Sequence, residues 1–160
     1  SLRPFRATFN ERASVLAFHA LMEDEHMTPK LPDLPQVRIN VETHKRLEQY
    51  HQEVATCLDQ EIGKPHVIPR THRHLYGRVV RLQVAQDDHL ESEEAFVLPE
   101  VRERFDEIKQ LEMMRCLLID DQAADRRWVM EWMNAMLPSG ECQLLGEFER
   151  RCSTVAVPGR

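Results

Sequence analysis

Two turns of this chain carry the same pattern. His19, Glu23 and Pro29 recur as His89, Glu93 and Pro99, so H-x3-E-x5-P appears twice, seventy residues apart. With 8 histidines and 9 prolines in 160 residues, composition alone predicts roughly 0.05 such matches, which makes coincidence a poor explanation of two. Residues four apart on an α-helix share a face, so each copy aims an imidazole and a carboxylate the same way. Facing helices carrying such pairs would make a cage of nitrogen and oxygen ligands for metal ions. The fold must then be one that turns helical faces toward each other.

The rest of the sequence agrees with helices. Charged residues make up 30%, aromatics 6%, and glycines number five, a mixture that favours helix over strand. Phe5, Phe9, Val15, Leu16 and Met22 recur at helical spacing and predict a first helix from about Pro4 or Phe5 to His26. Three prolines between Thr28 and Pro35 predict a loop. Asn40 is a favourable N-cap for a second helix ending near Ile62–Gly63, with Val41, His44, Leu47, His51, Val54 and Leu58 inward. After a Pro65–Pro69 connector, Thr71 is the expected cap of a long third helix to about Phe105. Leu75, Val79, Leu82, His89, Glu93 and Phe96 form its inward stripe, and Pro99 kinks or interrupts it. Shorter amphipathic pieces follow near 106–119, 123–137 and 141–152, broken or capped around Asp121, Gln122 and Ser139; Ser153–Arg160 reads as a frayed tail. No segment keeps a strand period, so the expectation is all-α.

Several classes are excluded by what is missing. A net charge of −6 without a concentrated basic patch argues against nucleic acid and anionic membranes as partners. No apolar run reaches membrane length and no secretory signal opens the chain. Cys57, Cys116, Cys142 and Cys152 lack C-x-x-C pairing and read as reduced thiols of a cytoplasmic protein. No glycine-rich phosphate loop and no nucleophile elbow occur. Met113, Met114, Met130, Met133 and Met136 read as gap-filling core residues, and Trp128 with Trp132 as a packing pair.

His19 sits among Val15, Leu16 and Met22, and His44 between Val41 and Leu47, so these imidazoles fall on apolar stripes. Glu23 and Glu93 on core-facing positions need partners, because a buried uncompensated carboxylate costs several kcal/mol, of order 3–5. A divalent cation would satisfy them together, and three imidazoles with two carboxylates suit iron, manganese or zinc. Glu48 and His51, one and two turns beyond His44, read mainly as a solvated helix edge. His26, His66, His72 and His74 read as surface residues.

The segments FHALMEDEH, VETHKRLEQYH and DDHLESEEAFVLPEV resemble the hemerythrin-like, or HHE cation-binding, domain family over roughly residues 4–106. The resemblance implies an up-down helical bundle over 1–106 around a non-haem di-iron centre, a helical extension over 107–152 packed on the same domain, and a flexible tail over 153–160. It implies the metal ligands His19, Glu23, His44, His89 and Glu93, and O2 or a similar small ligand as partner. The family's first helix normally adds another His. Only eighteen residues precede His19, so this chain is expected to lack that helix or to complete the site otherwise. The function expected is oxygen binding, oxygen or redox sensing, or iron handling, with enzymatic activity the weaker expectation. The alternative is a metal-free helical interaction module that forms a homodimer or binds a protein partner.

Overall fold

The computed structural model describes residues 2–61, 64 and 67–155. The expected second-helix end at Ile62–Gly63, the connector residues Pro65 and His66, and residues 156–160 of the tail lie outside the described residues. Among the described residues every regular element is helical: α1 (Arg3–His26), a 3₁₀ turn (Thr28–Lys30), α2 (Pro35–Glu61), α3 (Pro69–Ser92), a π-helical stretch (Glu93–Val97), α4 (Leu98–Arg104), α5 (Glu107–Leu118), α6 (Trp128–Met136) and α7 (Ser139–Cys152). No described helix is long and apolar enough to cross a membrane. Two compact units are present: residues 1–17 with 32–99, and residues 18–31 with 100–160.

The first unit is built on an antiparallel hairpin of α2 and α3. Its bonded pairs run in opposite directions along the two helices: Asn40 meets Glu93, His44 meets His89, and the Arg78 guanidinium donates to the Glu53 carbonyl. Leu47, Val54, Cys57, Leu58, Leu75 and Leu82 make the apolar core, with Phe9, Tyr50, Val79 and Ala85 packed against it. Arg6 pairs with Asp59 and the Phe9 ring lies 5.8 Å from that of His51, which docks the first half of α1 here. Leu58 and Val54 are wholly buried, each contributing about 1.5–3 kcal/mol by removing apolar surface from water.

Both long helices start earlier than their polar caps suggested. α2 begins at Pro35, not at Asn40, and α3 at Pro69, not at Thr71. Proline's fixed φ and missing donor suit the first helical position, where the N–H has no intrahelical acceptor. Asn40 is thereby carried into the helix, where it is 4% exposed.

The interruption expected at Pro99 lies just before it. Pro99 offers no N–H to the Ala95 carbonyl, so the helix widens upstream and the Leu98 N–H reaches back five residues to the Glu93 carbonyl. The extra residue shifts the register. Val97, 2% exposed, takes the inward position expected for Phe96, which is 52% exposed.

The second unit buries Met27, Leu31, Val101, Met113, Cys116, Leu117, Val129, Met130, Leu145 and Cys152. Asp106 caps α5 by accepting from the Lys109 N–H at 2.8 Å. The helix expected from residue 123 begins only at Trp128, because acidic side chains hold residues 120–127 as turns. Asp120 accepts from the Gln122 N–H, Asp125 from the Arg127 N–H, and Asp121 takes a two-pronged pair from buried Arg115 at 2.7 and 3.0 Å. Ser139 is the first residue of α7 and not its cap. Trp128 packs edge-on against Phe18, with ring centroids 5.5 Å apart, and donates its Nε1–H to Asp120. Met113 and Met130 are core, whereas Met114 and Met136 are exposed, contrary to the filler role expected of them.

Candidate metal centre

The inward stripes of α2 and α3 turn from apolar to polar toward the Asn40–Glu93 end of the hairpin. His44, His89 and Glu93 are all buried there. His44 Nε2 and His89 Nε2 stand 3.2 Å apart, His89 Nε2 and Glu93 Oε1 3.2 Å, and His44 Nε2 and Glu93 Oε1 3.8 Å. The rings meet edge to face, 76° apart with centroids at 4.7 Å. The point in their common plane that is equidistant from the three atoms lies about 2.0 Å from each, close to the length of a bond from a divalent metal to imidazole nitrogen or carboxylate oxygen. Two imidazole nitrogens and one carboxylate oxygen converging in this way could hold a divalent ion, a donor set that suits iron, manganese or zinc.

The local chain explains the convergence. His89 and Glu93 are one α-helical turn apart, and the Glu93 N–H still bonds back to the His89 and Leu90 carbonyls before the π widening begins. His44 lies opposite because the hairpin register matches it to His89. Asn40, one turn before His44, donates its Nδ2–H to Glu93 Oε1 at 3.3 Å, fixing the carboxylate that would carry the charge. Sequence reading missed this role. Asn40, His44 and Leu47 share one helical stripe, a signal outweighed by asparagine's preference for N-caps. A surface groove lined by Ile39, Leu47, Val84, Ala85, Asp88 and His89 runs along the same hairpin.

His19 and Glu23 fall in the second unit. They form the expected one-turn pair, His19 Nε2 to Glu23 Oε2 at 3.3 Å, and the Glu23 side chain is 1% exposed. A carboxylate at that depth keeps its charge only in cationic or hydrogen-bonding company.

The remaining candidates stay apart from these groups. Glu48 is exposed. His51 is half-buried, and its Nδ1 sits 2.9 Å from the Leu47 carbonyl; burial, with a smaller effect of Arg12, holds its pKa below the usual histidine value. His26 lies 3.8 Å from Glu25, and exposed His74 accepts from the Arg78 guanidinium. His72 is exposed, and His66 is outside the described residues.

No family model, curated protein or solved structure matches this chain.

Proposed function

We propose that the chain is a hemerythrin-like non-haem iron protein of the cytoplasm that binds O2 or a related small ligand for oxygen carriage, oxygen or redox sensing, or iron handling. The observation that supports this reading is the convergence of His44 Nε2, His89 Nε2 and Glu93 Oε1, close enough together to share one divalent ion. The sequence repeat adds His19 and Glu23 as further candidate ligands and favours two irons over one, with manganese or zinc as the less favoured occupants. Bound ferrous iron would supply redox chemistry and an open coordination position. The protein's own part is to present neutral imidazoles, to hold Glu93 through Asn40, and to keep bulk water from a buried site.

The test is metal content. Protein purified anaerobically and reloaded with ferrous iron should retain at least one iron per chain, and His44→Ala or His89→Ala should each remove most of it. Retention of far less than one iron by the unaltered protein overturns the reading.

A second reading has its own observation. Tyr76, Val80 and Val84 lie four residues apart along α3 and are 70%, 37% and 53% exposed, an apolar stripe of the kind that marks a protein contact. On that reading the bundle is a metal-free module that forms a homodimer or binds a protein partner. Solution mass measured alongside metal content separates the two: a metal-free dimer supports the second.

A further inference from the structure

A cavity of about 150 Å³ opens in the first unit, and none of its lining residues is one of the three clustered ligand candidates. Its walls are aromatic and aliphatic. Phe5 and Phe9 stack with centroids 6.2 Å apart, the His51 ring follows at 5.8 Å from Phe9, and Leu82 closes the floor. Exposed Thr8 and Arg12 stand at the rim. An apolar cavity of this volume holds a single six-membered ring, and aromatic walls favour an aromatic one through offset or edge-to-face contact.

Two of the polar groups on the lining belong to side chains that are at least half-buried, His51 and Gln86. The His51 Nδ1–H is committed to the Leu47 carbonyl, so its Nε2 is an acceptor, and Nε2 bonds to no other described residue. Burial keeps this imidazole neutral near pH 7. Gln86 is 6% exposed, and its amide makes no hydrogen bond to another described residue. Gln86 also lines the cavity, where its amide can meet a polar group of an occupant. An acceptor and a donor on the lining of one cavity match a hydroxyl, which gives one hydrogen bond and receives another.

We infer that this cavity is a binding site for a small phenol: one aromatic ring against Phe5, Phe9 and Leu82, its hydroxyl donating to His51 Nε2 and accepting from the Gln86 amide. This does not rest on the metal reading, because none of the cavity's residues belongs to the three-ligand cluster.

The experiment is a calorimetric and NMR titration of the full chain with phenol and, separately, with toluene, which has the ring but not the hydroxyl. Phenol should saturate with a dissociation constant of about 1 mM or tighter, shifting the His51 imidazole resonances. His51→Leu and Gln86→Leu should each weaken phenol about fivefold, the worth of one net hydrogen bond, while toluene stays within about twofold. Thr8→Trp, a rim substitution outside the core, should abolish both while leaving Tm unchanged. Absence of saturable phenol binding, equal binding by His51→Leu, or equal binding by Thr8→Trp overturns the assignment.

Discussion

His44 and His89 face each other nitrogen to nitrogen, Nε2 to Nε2 at 3.2 Å, from opposite helices of the α2–α3 hairpin. Two imidazole nitrogens at that distance share at most one proton between them, and Glu93 Oε1 lies 3.2 Å from one and 3.8 Å from the other. A divalent cation, as proposed above, would engage all three atoms at once.

On the proposed reading, binding of that cation would stabilise the fold. At a free ferrous concentration 100 times the dissociation constant, linkage adds about 2.7 kcal/mol, which for a chain of this size raises Tm by roughly 5–10 °C. Thermal scans under anaerobic conditions should show the rise in the unaltered protein and lose it in His89→Ala.

Asn40 holds Glu93 without being a ligand itself. Asn40→Leu keeps the volume and removes the hydrogen bond, so iron should bind about 10-fold more weakly while stoichiometry at saturating metal is retained. Competition against a calibrated chelator reads the change. Unaltered affinity would show that Glu93 is fixed by other contacts.

In the second unit, Arg115 and Arg126 hold the Asp121 carboxyl at a pKa of about 2, against an ordinary value of 3.8. A depressed acid contributes stability above its unfolded pKa and loses it as pH falls through the folded one. The pair's contribution is therefore full above about pH 5 and vanishes on the way to pH 2. Discounted for a carboxylate that is 25% exposed, it amounts to about 1–2 kcal/mol. Asp121→Asn should lower stability to urea at pH 6 and converge with the unaltered protein near pH 2.

Leu58 lies wholly buried in the hairpin core. Leu58→Ala should cost about 2–5 kcal/mol in urea unfolding through lost burial and a residual cavity. Asp106→Ala, which removes only the cap of α5, should cost about 1 kcal/mol.

How far the sequence showed all this depends on which signal dominated locally. The helical character was plain in the 3.6-residue periodicity, and α1 was anticipated to within about two residues. The convergence of His44, His89 and Glu93 had two separate signals in the sequence, the repeat for His89 and Glu93 and an apolar stripe for His44. The helix starts were not, since Pro35 and Pro69 outweighed the polar caps Asn40 and Thr71. Phe96 was misplaced because a π turn adds one residue of register that no periodicity of 3.6 contains. The turn at residues 120–127 arises from acidic side chains binding neighbouring backbone and arginines, a competition that apolar spacing does not reveal. The 150 Å³ cavity needed three helices in place before it existed.

The most direct measurement is an iron-edge anomalous difference map from crystals grown anaerobically with ferrous iron. The account predicts a peak about 2.1 Å from His44 Nε2, His89 Nε2 and Glu93 Oε1. A well-ordered map with no anomalous density within bonding distance of those three atoms would contradict it.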